Sequence, residues 1–262
     1  MLSRSLLALV LILAGCGPSE RSWGETARDA DDAALWSATL TALLVVPGNI
    51  DAAATPALTA ARAAEQAIDP FDPNECLSTE VTGATIVYHL DGCASSFDLV
   101  HATGDLRVTY ADPDAGRTAF HASAEGLVLN GRPVTFEADA RVLHEASMRT
   151  IDATVSAEGT LSHGAALSLT STQTARWMDT WGCLFVDQAS DQITTGAETW
   201  SATTHALTMC IGECPMTGGE VRWARGDDAI AVTYPGGRTV SWSLARGASA
   251  SASGSFDISC GP

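Results

Sequence analysis

Cys210 and Cys214 stand four residues apart in CIGECP, and cysteines at such spacing do one of three things. They hold a metal, cycle between thiol and disulfide, or staple the chain. A structural zinc site wants a second Cys pair or a Cys/His cluster close by; here no second pair is adjacent and the nearest histidine is His205. A redox pair uses the tighter Cys-x-x-Cys gap. The staple reading is left, and it depends on an oxidising compartment. The remaining chemistry-bearing residues are scattered. His144–Glu145 is followed by Ala-Ser-Met, so the second zinc ligand of a metalloprotease helix is missing and His144 reads as a polar strand-end residue. His89 and Asp91 in HLDG share a strand face beside a turn, a poor setting for a catalytic pair. Asp112 and Asp114 in DPDAG supply two oxygens of a calcium loop but neither a third ligand nor the distal Glu. Asp69, Asp72 and Glu75 in DPFDPNE read as a solvated, proline-rich linker. Neither a Gly-x-Ser-x-Gly elbow nor a phosphate-cradling glycine loop is present. The expectation is no catalytic residue, no metal site and no cofactor. Trp177, Trp181 and Trp200 gather around Cys183. Such rings serve as a sugar platform or as core packed on a disulfide, and core is the reading adopted.

The compartment follows from the first residues, MLSRSLLALVLILAGCGPSE. Arg4 supplies a positive start, Leu6 to Leu13 an apolar stretch, and small residues follow, the order of an export signal. The stretch is far shorter than the ~20 residues a membrane-spanning helix needs. Leu13-Ala14-Gly15-Cys16 resembles the lipobox of bacterial lipoproteins. That resemblance implies removal of residues 1–15 as a signal peptide and acylation of the Cys16 thiol, which makes the membrane a partner through the lipid. In that family Asp after the cysteine favours the inner membrane, so Gly17 implies the outer membrane. Thirty-one acids against fourteen basic residues give a net charge of −17, and no lysine occurs. A surface this acidic excludes a nucleic-acid partner and a polybasic membrane contact, and it favours solubility.

With Cys16 acylated, Cys76, Cys93, Cys183, Cys210, Cys214 and Cys260 remain. An even number in an exported chain reads as three disulfides. Cys76 and Cys93 bracket the strand-like TGATIVYHLDG and are paired on that ground. A Cys210–Cys214 bridge needs Cα atoms within about 7 Å, whereas an extended chain would hold them about 13 Å apart. A tight turn over Ile-Gly-Glu leaves that bridge open as an alternative. The preferred pairing is Cys183–Cys210 with Cys214–Cys260, each spanning a segment of a β-meander.

These residues must be positioned by two kinds of element. Residues 16–28 are read as the lipidated cysteine and a polar tether, and 29–75 as a helical segment. Acids lead from Asp29, and Leu35, Trp36, Leu40, Leu43 and Leu44 suit one helix face, with a stop at Pro47. Thr55 and Pro56 open a second helix as cap and first residue. From Cys76 the period changes to two, and residues 76–262 read as an antiparallel β domain. Val134, Phe136, Ala138, Ala140 and Val142 alternate with Thr135, Glu137, Asp139 and Arg141, the pattern of a sheet with one dry face. Asn130–Gly131 is a hairpin turn. Because alanine is frequent on the dry face, the expected fold is mainly β: an extended, curled antiparallel β-meander with one or two N-terminal helices packed on it. A β-sandwich is the alternative.

The segments CLFVD, CIGECPMTGGEVRW, VTYPGGRTVSWSL and FDISCGP resemble the C-terminal half of uncharacterised lipoproteins of Gram-negative bacteria. The resemblance rests on disulfide and turn residues and implies a fold, with no activity attached. The functional expectation is a lipid-anchored cell-envelope protein with a non-enzymatic structural or interaction role. Binding of a lipid or other apolar ligand in the concavity of the sheet is one alternative, and a hydrolase is another.

Overall fold

The computed structural model describes residues 22–66, 71–95, 100–112, 116–145, 147–178, 182–210 and 217–258. Cys16, Cys214 and Cys260 lie outside them, as do residues 1–15, expected to be a signal peptide, and the rest of residues 1–21. Helix α1 (Trp23–Gly48) begins ahead of the Asp29 expected from the acids. Ser22 and Glu25 form a capping box: Ser22 Oγ accepts from the Glu25 N–H at 3.3 Å, and the Glu25 carboxylate accepts from the Ser22 N–H at 2.8 Å. Residues 23–28, expected in the tether, are therefore the first turns of the helix. Helix α2 (Pro56–Gln66) starts where Thr55 and Pro56 place it, with Thr55 Oγ1 accepting from the Leu58 N–H at 3.3 Å.

Among the described residues, fourteen antiparallel strands form one sheet. Strands β1 (Phe71–Asp72) and β2 (Leu77–Thr82) pair with different stretches of the same edge of β3 (Thr85–Ser95). Then the meander runs in chain order through β4 (His101–Tyr110), β5 (Thr118–Leu129), β6 (Arg132–Glu145), β7 (Met148–Thr160), β8 (Ala166–Met178), β9 (Cys183–Thr195) and β10 (Glu198–Cys210). It ends with the shorter β11 (Glu220–Arg225), β12 (Asp228–Thr233), β13 (Thr239–Arg246) and β14 (Ser249–Asp257). The hairpin expected at Asn130–Gly131 has both residues at positive φ, 51° and 76°, as a type I′ turn requires. The expected alternation is also present: Val134, Phe136, Ala138, Ala140 and Val142 are buried and the residues between them exposed.

Helix α1 packs against β6, β8, β9 and β11 to β14. Eight inter-strand steps of ~4.8 Å would span about 38 Å if flat, and a helix with its side chains is about 10–12 Å wide. The sheet must therefore curl around α1. Leu40, Thr41, Ala42, Leu43, Leu44 and Val45 are all buried. Six consecutive residues at about 100° each cover every face of a helix, so α1 is a central helix and not the one-faced helix expected from its leucines. Small residues on both partners bring it close. A Cβ added to Gly159 on β7 would stand 2.6 Å from the Trp36 ring, and one on Gly48 would stand 2.9 Å from Val142. Alanines such as Ala138, Ala140, Ala153 and Ala157 on the inner face leave the helix room. Helix α2 lies on β2, β3 and β4.

Two disulfides occur among the described residues. Cys76–Cys93 ties the junction of β1 and β2 to β3, and Cys183–Cys210 joins directly opposed residues of β9 and β10.

Candidate functional site

Apart from cross-strand pairs on the outer face such as Arg117–Asp152 and Arg176–Asp187, the polar side chains that the fold brings together among the described residues lie at the two ends of α1 and at one point inside the sheet. At the C-terminal end of α1, the start of β5, the end of β6 and the start of β7 meet the connection between the helices. Asp51 Oδ1 contacts His144 Nδ1 at 2.5 Å, and His144 Nε2 lies 3.4 Å from Thr118 Oγ1. Carboxylate, imidazole and hydroxyl thus follow in the order used for nucleophilic catalysis. The hydroxyl, however, donates to the Ile50 carbonyl at 2.8 Å, and Thr118 is 1% exposed. Its proton is committed to the backbone, and no substrate reaches its oxygen. The neighbouring hollow is lined by Asn49, Ile50, Asp51, Arg62, Glu65, Gln66 and Arg149 and does not open onto Thr118. Arg149 stands 3.7 Å from Asp51, Tyr110 donates to the Pro47 carbonyl at 3.0 Å, and Trp177 Nε1 donates to Asn49 Oδ1 at 3.2 Å. What this cluster does chemically is fasten the end of α1 and the helix connection to the ends of five strands, β4 to β8.

Inside the sheet, one cross-strand row runs Ala138, Val155, Ser171, Asp191, Ala202, Trp223. The polar pair in it faces α1. Burial pushes the Asp191 carboxyl up to about 6, and the Ser171 hydroxyl beside it tempers the rise. The two are near enough for that effect but not in good hydrogen-bond geometry, so Asp191 Oδ1 and Ser171 Oγ are buried without a partner among the described residues. One step along β8, Gln173 accepts from Thr41 of α1 at 2.7 Å.

At the N-terminal end of α1, His163 contacts Asp29 at 2.9 Å and Arg132 donates to Asp32 at 3.0 Å. The Ser162 N–H also donates to Asp32. Arg246 lies over the Trp23 ring at 5.6 Å and Arg28 over Phe256 at 5.0 Å. Burial raises Asp31 to about 6; the Tyr234 hydroxyl opposes this, Asp32 adds to it and Arg28 opposes it.

The residues singled out in the sequence are not gathered. His89 pairs with Asp105 at 2.7 Å, not with Asp91, because Asp105 is its directly opposed partner on β4. Asp72, Glu75 and Asp112 are exposed, while Asp69 and Asp114 lie outside the described residues. Among the described residues no three His, Cys, Asp or Glu side chains are grouped to hold a metal. Trp177 and Trp200 are buried, Trp200 against Trp223 at 5.7 Å between ring centres, and Trp181 lies outside the described residues. A shallow groove on the outer face includes His121, Asp139, Arg141 and Asp152, and its His121–Asp139 contact of 3.1 Å is open to solvent. The sequence reading missed two groupings. Asp191 was legible, since it alternates inward with Ala189 and Ile193. The meeting of Asp51, Thr118 and His144 was not, because nothing local links three segments so far apart.

Comparison of the chain with protein-family models, with curated proteins and with solved structures returns no match.

Proposed function

We propose that the protein is a lipid-anchored module of the bacterial cell envelope, held at the outer membrane through Cys16, with a structural or interaction role and no catalysis of its own. The observation that carries the non-catalytic, non-carrier part is the place of α1. An apolar ligand in the concavity would have to take the space of Leu40, Leu43, Leu44 and Val45, which the helix already fills. The hydrolase alternative would rest on Thr118, whose hydroxyl is turned to the backbone. The anchor is carried by Leu13-Ala14-Gly15-Cys16 and the apolar run before it. The kinship with Gram-negative lipoproteins belongs to the same proposal.

The test has two arms. Cys16→Ala should move the protein from the membrane fraction to the soluble fraction after cell lysis. Persistence of that variant in the membrane fraction at high salt would overturn the anchor. A fluorescent fatty acid added to the folded domain should show no saturable binding, and saturable binding at one site per chain would restore the carrier reading.

A further inference from the structure

We propose that the end of the curled sheet where α1 begins faces the bilayer, and that the end carrying Asp51, Thr118 and His144 points away from it. This rests on the reading of Cys16 as the lipid-bearing residue. Six peptide units separate Cys16 from Ser22, the residue that caps α1, and at ~3.5 Å each they span no more than about 21 Å. The 26 residues of α1 run for about 39 Å at 1.5 Å per residue. The tether is therefore too short for the domain to turn over: the near end stays within about 21 Å of the lipid anchor, less than the length of about 39 Å of α1.

The near end has a defined make-up. Contacts with α1 bring the β5–β6, β7–β8 and β13–β14 turns to the start of the helix, through Arg132 to Asp32, His163 to Asp29 and Arg246 to Trp23. Arg246 also pairs with Asp228 at 2.8 Å, which adds the β11–β12 turn. In that pair the arginine is the exposed member, 61% against 21%. Trp23, the first residue of the helix, is half-buried beneath it. An indole under an outward guanidinium suits the headgroup level of a bilayer, where tryptophan is enriched and arginine meets phosphate. The partner so described is a phospholipid surface.

Hydrogen exchange on the acylated full-length protein in vesicles of zwitterionic and anionic phospholipid, against Cys16→Ala in solution, tests the orientation. Exchange should slow several-fold at Asn130–Gly131, Gly226–Asp227 and Gly247–Ala248, and stay unchanged at Gly83–Ala84 and Gly116–Arg117. Slowing at the second set, or equal rates at both sets while the protein floats with the vesicles, overturns the orientation and leaves the anchor intact. Failure of the acylated protein to float with vesicles overturns both.

Discussion

Two buried residues carry most of what can be tested one side chain at a time. Burial holds the Asp191 carboxyl near 6, against 3.8 for an exposed aspartate. Between those values the folded protein keeps a proton that the unfolded chain has released. Stability therefore falls as the pH rises through that interval, is fully present below it and levels off above it. Two units of displacement amount to roughly 3 kcal/mol at ~1.36 kcal/mol per unit. Asp31 is displaced in the same direction for the same first reason and adds to the slope. Asp191→Asn should unfold at higher urea than the parent at pH 7.5, by up to roughly 3 kcal/mol, and should lose most of that advantage near pH 4. An Asn variant weaker than the parent at both pH values would mean that Asp191 is a satisfied anion. Thr118 offers a second case. Thr118→Val keeps the branched shape and removes the proton given to Ile50. Leaving a buried carbonyl without its donor costs about 1–3 kcal/mol, and calorimetry should show a lower melting temperature. An unchanged temperature would show that the helix connection is held by its other contacts.

At the scale of elements, the strands were far easier to read than the helix they enclose. A period of two is intrinsic to a strand with one dry face, so β6 and β7 stand in the sequence residue by residue. Helix α1 is different. Its leucines and Trp36 suggest one face, and only the small residues between them, Thr39, Thr41 and Ala42, allow the other faces to be covered too. Which surface covers them is a long-range fact absent from any window of α1. Its true start was legible, since Ser22 and Glu25 have capping-box spacing, but the acids from Asp29 are the louder signal. The Cys76–Cys93 and Cys183–Cys210 bonds follow from strands that bring bracketing cysteines level. Gly159 tests the helix–sheet contact directly. Gly159→Ala places a methyl group 2.6 Å from the present position of the Trp36 ring, and overpacking of this kind costs about 1–3 kcal/mol. Trp36→Phe withdraws the contacted ring atoms. The double variant should therefore be more stable than the sum of the two single losses, a coupling that urea denaturation can measure. Strict additivity would mean that the two residues do not touch.

For the molecule as a whole, the question is whether the sheet has a core of its own. Its outer face is wet and its inner face is dry, and among the described residues no second sheet closes over it. The stable architectures bury one layer against another, and here the other layer is α1 with α2 beside it. The last strand shows how little an edge supplies alone, since only Phe256 of β14 is buried. Sheet and helix should therefore fold as one cooperative unit, although the strands neighbour one another in sequence and the helix meets some of them across most of the chain. A chain exported to the periplasm and beginning at Phe71, so that Cys76–Cys93 and Cys183–Cys210 can form but α1 and α2 are missing, should fail to reach a native state. It should bind a hydrophobic dye, resist solubilisation or be degraded, because the face that meets Leu40, Leu43 and Leu44 would be left in water. If that chain instead stays soluble and unfolds in one sharp transition, the sheet is self-sufficient and α1 is a removable plug. The concavity would then be a cavity with a stopper, and the apolar-ligand reading would regain its footing over the structural one. The same variant thus decides the folding question and the choice between the two non-enzymatic roles.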